Sequence, residues 1–464
     1  MIFTEIEFLL FFALVLGVIL RLPSLCGVKI GLLVASYLFY GWWDARFCLL
    51  LAASSTVHWW MGRLIASTDS PRRKKLAASV SIVGALLLLG YFKYVNFFIG
   101  SWNAAFGGIL PLATVKVLLP VGISFFTFQA VSYVVDVYAG KVEGRRSWLD
   151  VSLYISFFPQ ILSGPIVRAG DFFPQLNRRA PVTGERLALG FGQFAMGFFK
   201  KAFIADRLAT YVGSLFENCA VMDSASLVLG GIAYSVQIYC DFSGYSDMAI
   251  GVARAMGFDY RKNFDHPYSS TTITEFWRRW HISLSTWLRD YVYIPFGGNR
   301  KGVVRTYVNC IATMLIGGLW HGAAWTFVVW GGLHGVALAI HKFFLKRLSW
   351  LDGLKLWKPI SWLLTMAVVV AGWIFFRAES FDQVSAYFSG IAACRGGLTW
   401  LHPFAFVAIA CVAVGHLTAG VPVLQRWRNA DVRTPYGLFL AVTLFALAVL
   451  YPADGANPFI YFQF

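Results

Sequence analysis

The stretch GGLWHGAAWTFVVWGGLHG, Gly317 to Gly335, lies inside a long, mostly apolar run and sets two histidines among tryptophans and glycines. A run of about 20 such residues is long enough for a helix to cross ~30 Å of hydrocarbon. The stretch therefore belongs to a membrane segment, and its imidazoles need a reason to be there. Composition extends that reading to the whole chain: 58% hydrophobic and 13% charged residues, with a mean hydropathy of +0.63, lie outside the range of soluble domains. Predominantly apolar runs recur near residues 6–20, 28–43, 47–65, 77–99, 119–139, 186–214, 224–253, 303–320, 322–345, 357–376, 401–420 and 434–452. They predict an all-α polytopic membrane protein with roughly ten to twelve spans.

The first run opens with Glu5 and Glu7 rather than basic residues, and no small-residue cleavage site follows, so a retained span is expected and not a signal peptide. A net charge of +16 would suggest nucleic acid as a partner of a soluble protein. Here the basic residues gather in short loops between spans, so the charge reports topology and no nucleic-acid partner is expected. PRRKK (Pro71 to Lys75), KVEGRR (Lys141 to Arg146), GNRKG (Gly298 to Gly302), HKFFLKR (His341 to Arg347) and RWRNADVR (Arg426 to Arg433) are expected in the cytoplasm. Residues 100–118 and the tail after Tyr451 carry almost no basic charge. Both termini then fall on the far side, which is the periplasm for a bacterial inner-membrane protein. The seven cysteines lie mostly in apolar runs without a CxxC pair, so they are expected to be packing residues.

No internal repeat or Pro/Ser-rich linker divides the chain, which predicts a single membrane domain over 1–464. Within it we distinguish N-terminal helices (1–140), a core (150–345), C-terminal helices (355–452) and a tail (453–464). Three segments do not fit simple spans. Ser152 to Gln175 has three prolines and a Ser-Gly-Pro break in apolar surroundings, which suits a broken or re-entrant helix buried within protein. In Thr271 to Gly302, Thr272 and Glu275 have capping-box spacing before a helical pattern. Phe276, Trp277, Trp280, Leu284, Trp287, Leu288 and Tyr291 then form one apolar stripe, with Arg278, Arg279, Ser285 and Arg289 off it. That pattern predicts an interfacial amphipathic helix ended by Pro295, whose arginines contact phospholipid. Tyr234 to Gly257 is a span carrying Asp241 and Asp247 at membrane depth, where a carboxylate costs about 2.5–3.5 kcal/mol and must be paired or face water. Arg254, Arg261 and the arginines of the amphipathic helix are the expected partners.

His266, His281, His321, His334 and His341 cluster in one part of the chain, but their spacing supplies no HExxH, HxxxH or HxxHH box, so no metal is expected. An imidazole in a low-dielectric site stays neutral, the form a general base needs, and His321 suits that role. The Gly318-x-x-x-Gly322 spacing lets neighbouring backbone approach closely, so that His321 can line a narrow channel. The alternative is a packing histidine bonded to a carbonyl, and it weighs more heavily for His281 and His334.

These residues carry a resemblance. RRWHISLSTWLRDYVYIPFGGNRKG (Arg278 to Gly302), followed by the Gly317 to Gly335 stretch, closely resembles the membrane-bound O-acyltransferases, in particular the bacterial branch that acetylates exported polysaccharides. The likeness extends to PVGISFFTFQAVSYVVDVY (Pro120 to Tyr138), FPQILSGPIVR (Phe158 to Arg168), YCDFSGYSDMAIG (Tyr239 to Gly251), WIFFRA (Trp373 to Ala378) and FIYFQF (Phe459 to Phe464), so it covers nearly the whole chain. It implies a ring of helices with funnels from both faces meeting near a catalytic histidine, His321, with His281 as a second important one. Trp280, Arg289, Asp290, Trp320, His334, Asp241 and Asp247 become candidates for binding donor or acceptor or for lining the funnels, and Arg289 for attracting the CoA phosphates. The implied donor is acetyl-CoA, used as a substrate with no tightly bound cofactor. The acceptor is alginate, cellulose or another exopolysaccharide, and the implied partners are a periplasmic SGNH-type acetyltransferase and the synthase and export complex. FIYFQF resembles the C-terminal hexapeptide of small partner peptides in teichoic acid modification, which makes Tyr461 a candidate acyl relay; an aromatic anchor at the interface is the plainer reading. Two alternatives stay open: transfer of D-alanine from a carrier protein, and a transporter or channel built on Asp241, Asp247 and the broken helices.

Overall fold

The computed structural model describes residues 1–178, 180–345, 354, 356–420 and 432–451, and in them the chain is all-helical. Its contacts divide it into two compact units, one of residues 1–190 with 249–261 and the other of 191–248 with 262 onward. Among the described residues, five helices are long and apolar enough to cross a membrane: Pro71–Phe106, Ser224–Ala255, Val303–His321, Trp325–Phe344 and Trp357–Arg377. Four shorter apolar helices, Leu25–Gly41, Ile123–Tyr138, Pro403–Leu417 and Pro435–Leu450, accompany them. This is a polytopic, helical membrane protein.

The first unit holds α1 (Ile6–Arg21), α2 (Leu25–Gly41), α3 (Arg46–Ser67), α4 (Pro71–Leu89), α5 (Val95–Phe106), α6 (Ile123–Tyr138), α7 (Trp148–Ser156), α8 (Phe158–Ile161) and α9 (Ala169–Asn177). A π-helical turn, Gly90–Tyr94, joins α4 to α5. The Ser152 to Gln175 segment is broken and buried, as its prolines predict: α7 stops at an extended Phe157, α8 is a single turn opened by Pro159, and Pro174 lies inside α9. Such backbone survives away from water only if its freed polar groups find partners. They do so through side chains. Ser36 Oγ accepts from Phe158 N–H at 3.1 Å, Gln160 donates to the Tyr154 carbonyl at 2.7 Å, and the Tyr154 hydroxyl donates to the Val167 carbonyl at 3.0 Å.

The second unit takes in most of α10 (Gly184–Phe198), then α11 (Asp206–Glu217) and the greater part of α12 (Ser224–Ala255). It continues through α13 (Ile273–Arg279), α14 (Ile282–Leu288), α15 (Val303–His321), α16 (Trp325–Leu345), α17 (Trp357–Arg377), α18 (Phe381–Ala392), α19 (Pro403–Leu417) and α20 (Pro435–Leu450). The apolar run near 186–214 is not one straight span, because a π-helical stretch, Phe199–Ala205, separates α10 from α11. Gly197 and Gly244 let α10 and α12 touch backbone to backbone. Two lysines of the π-helical stretch hold the carboxylates of α12: Lys200 Nζ lies 2.6 Å from Asp247, and Lys201 Nζ lies 2.7 Å from Asp241 and 2.6 Å from Asp206. The expectation of arginine partners is therefore corrected. Arg261 pairs with Asp171, Arg254 faces Asp259, and Arg279 pairs with Glu275 on its own helix.

The predicted amphipathic helix is corrected as well. Its start is as expected, with Thr272 Oγ1 accepting from Glu275 N–H at 3.1 Å and the Glu275 carboxylate accepting from Thr271 N–H at 2.8 Å. After two turns, however, the chain kinks at Trp280 and His281, where His281 takes a left-handed φ of 41°, and α14 restarts beyond it. The stripe is also not interfacial, since Phe276, Trp280, Leu284, Trp287 and Leu288 are buried in protein.

Candidate active site

His321 is the last residue of α15, and Gly322 follows it in extended conformation before α16 begins at Trp325. This tight hairpin depends on glycine. A Cβ on Gly318 would collide with the Phe327 carbonyl, one on Gly331 with the Met314 carbonyl, and one on Gly322 with the Phe327 ring. The hairpin thus carries the imidazole at its tip and folds α16 back against it. His321 is buried, with its ring centroid 5.0 Å from Trp320, 4.9 Å from Trp330 and 5.2 Å from Phe376. The Trp330 and Phe376 rings meet it nearly edge-on, at 86° and 73°. Of the expected glycine pair, Gly318 brings backbone close while Gly322 admits the Phe327 ring, and the surroundings of His321 are an aromatic cage.

The same two indoles connect His321 to both other histidines of interest. Trp320 lies 6.0 Å from the His281 ring, and Trp330 lies 5.0 Å from His334. His334, on α16, is fully buried between Trp277 and Trp330 with Phe276 stacked at 6.2 Å, and neither ring nitrogen has a hydrogen-bond partner among the described residues. His281 is also fully buried, against Phe242 at 4.5 Å. Its Nδ1 lies 3.3 Å from Asn263 Oδ1 and 3.4 Å from Ser283 Oγ, while Nε2 is buried without a hydrogen-bond partner among the described residues. Burial with no compensating charge pushes its pKa down to about 3, which holds the ring neutral at physiological pH.

Trp280 belongs to this cluster, packed 4.8 Å from Trp373 and 5.0 Å from Phe264. Arg289 and Asp290 do not. They sit on the π-helical turn after α14 and pair with each other at 2.8 Å, with Arg289 exposed. Asp241 and Asp247 are held in the lysine pairs of α12, although Phe242, between them in sequence, packs on His281. Tyr461 lies outside the described residues. Missed from the sequence were Asn263, which holds His281, and Trp330, Trp373 and Phe376, which close the cage. The aromatics could have been suspected from WIFFRA and the spacing of Trp330 to His334; Asn263, in an irregular loop, gave no signal.

Buried imidazoles in such aromatic surroundings can move a proton to or from a reacting hydroxyl. Residues 126–379, which include all three histidines, match the family model of the membrane-bound O-acyltransferases. The chain is 39% identical to a probable alginate O-acetylase AlgI of Pseudomonas putida, with both chains covered in full. It is 34% identical to a peptidoglycan O-acetyltransferase of Helicobacter pylori over 79% of this chain and 74% of that one. To a teichoic acid D-alanyltransferase of Bacillus subtilis it is 28% identical over 64% and 83%. A match across more than half of the chain, and full-length likeness to an O-acetylase, establish that this protein belongs to the membrane-bound O-acyltransferase family and is an O-acyltransferase.

Proposed function

We propose that this enzyme takes an acetyl group from acetyl-CoA on the cytoplasmic side of the bacterial inner membrane and delivers it for O-acetylation of an exported polysaccharide, alginate or a similar polymer, with His321 as the general base. The observation that carries the reading is the aromatic cage around His321, one indole away from a second buried histidine. In the proposed reaction the imidazole removes the proton of the attacking hydroxyl as its oxygen bonds to the thioester carbonyl. The tetrahedral intermediate then collapses, breaking the C–S bond, and the leaving thiolate takes the proton back from the imidazolium. No net proton is consumed. Full-length likeness to a probable alginate O-acetylase favours acetyl over D-alanine, for which the likeness is lower and partial. A periplasmic SGNH-type acetyltransferase would receive the acetyl group and pass it to the polymer.

Replacing the base tests the reading. His321→Ala should lower acetyl transfer by about 10²–10⁴-fold or more, the usual contribution of a general base, while leaving the protein inserted and folded. Transfer from radiolabelled acetyl-CoA and polymer ester content are the measurements. Acetylation at the wild-type level in that variant would remove His321 from the chemistry. A competition between acetyl-CoA and a D-alanyl carrier protein decides the donor.

A further inference from the structure

We propose that Asn263 is the positioning residue that fixes the tautomer of His281, so that Nε2 of that ring presents a hydrogen-bond acceptor to the substrate instead of a donor. The proposal rests on the reading of His281 and His321 as the acyl-transfer site and assigns His281 a definite part in it.

The side-chain amide of Asn263 cannot be turned round. Its Oδ1 accepts from the Ser283 backbone N–H at 3.0 Å, a group that can only donate, and its Nδ2 donates to Ser246 Oγ at 3.1 Å. The Ile282 backbone N–H also donates to the Asn263 carbonyl at 2.8 Å. Asn263 is buried, and these bonds from its side chain and backbone tie the loop before α13, the start of α14 and the middle of α12 to one residue. An oxygen acceptor 3.3 Å from His281 Nδ1 requires a hydrogen on that nitrogen. A neutral imidazole carries only one such hydrogen, so Nε2 is left with its lone pair. That nitrogen is buried and has no hydrogen-bond partner among the described residues.

The groups around the ring leave the assignment undisturbed. Its neighbours are the Phe242, Phe264 and Trp320 rings, Asn263 and Ser283, none of them charged. On the packed helix α12, Asp241 and Asp247 are occupied by Lys201 and Lys200. On α15, Trp320 lies next to the His281 ring and is followed by the titratable His321, whose ring it also touches. The Ser283 hydroxyl near Nδ1 can accept, as Asn263 does. A neutral His281 held this way offers an acceptor to a substrate O–H or N–H other than the hydroxyl that His321 deprotonates, and so positions the substrate. It offers no N–H to an oxyanion.

The test is ¹⁵N NMR of the full-length protein in lipid, with ring-labelled histidine and the His281 signals identified by their loss in His281→Gln. The expected wild-type spectrum has a protonated Nδ1 and an unprotonated Nε2. Asn263→Leu should give a mixture or the opposite tautomer, whereas Asn263→Asp keeps the acceptor oxygens and should keep Nδ1–H. In Asn263→Asp the added carboxyl lets the Asp–His pair take up a proton at higher pH, so the acidic limb of the acetyl-transfer profile should move up by about 1 pH unit or more. A wild-type ring protonated on Nε2, an unchanged tautomer in Asn263→Leu, or an unmoved acidic limb in an active Asn263→Asp enzyme each overturns the proposal. The tautomer is read without turnover. Absence of acetyl transfer by the wild-type protein would therefore defeat the functional reading and leave the assignment of Asn263 to be decided by the spectra.

Discussion

His281 occupies a left-handed conformation, φ 41°, that side-chain-bearing residues other than Asn, Asp and His seldom adopt. The conformation turns the chain between α13 and α14 and faces the ring inward. Two functions, backbone reversal and chemistry, therefore coincide at one residue, and two substitutions separate them. His281→Gly accepts the backbone freely, whereas His281→Ala adds about 1–2 kcal/mol of left-handed strain. Both should lose acetyl transfer by about 10²-fold or more, with the alanine protein showing the lower melting temperature. Equal activity to wild type in the glycine variant would make the ring a packing element. At this scale the sequence exposed His321 through its company of glycine and tryptophan, but Asn263 stayed hidden. Its importance comes from Ser246, His281 and Ser283, which are brought together only by the fold. Lys200 and Lys201 were overlooked for a related reason: they sit in an otherwise apolar run, and only the π-helical stretch brings them to Asp247 and Asp241.

Among the elements, the α15–α16 hairpin shows how glycines position chemistry. Gly331 faces the Met314 carbonyl and Gly318 Cα, while the neighbouring Gly332 meets only the end of the Leu315 side chain at 3.5 Å. Gly331→Ala must push the two backbones apart, at a cost of about 1–3 kcal/mol for overpacking, and should misplace His321 as it does so. Gly332→Ala fits without displacement. Thermal unfolding in detergent together with acetyl transfer should show both quantities reduced in Gly331→Ala and neither in Gly332→Ala; equal behaviour of the two would mean that the close approach is not what holds the site. The hairpin was legible because small residues at helical spacing and two apolar runs separated by a short break announce it. The kink between α13 and α14 was not, since periodicity identifies the residues sharing a face but neither what covers that face nor a left-handed residue within it.

Across the whole molecule, the all-helical membrane character followed from composition, because no soluble fold can hide this much apolar surface. The span count was less legible. The π-helical stretches and short helices divide apolar runs that a window of fixed length reads as continuous. Orientation rests on charge, and it fixes which substrate reaches which side. In a protein cleared of its native cysteines, Arg73→Cys and Arg300→Cys should react with a membrane-impermeant maleimide only when the cytoplasmic face is open. Gly108→Cys, in the stretch of residues 100–118 that is poor in basic residues, should react from the periplasm. All three positions are exposed, so an absence of labelling from one side reports the membrane and not burial. The proposed reaction needs this arrangement. The proposed donor, acetyl-CoA, is made in the cytoplasm and is too highly charged to cross hydrocarbon unaided, whereas the polymer of the proposed reaction is outside. Labelling with the opposite sidedness would turn the basic loops, and the donor face they identify, toward the periplasm; a cytoplasmic thioester could then not be the donor, even if His321 remained essential.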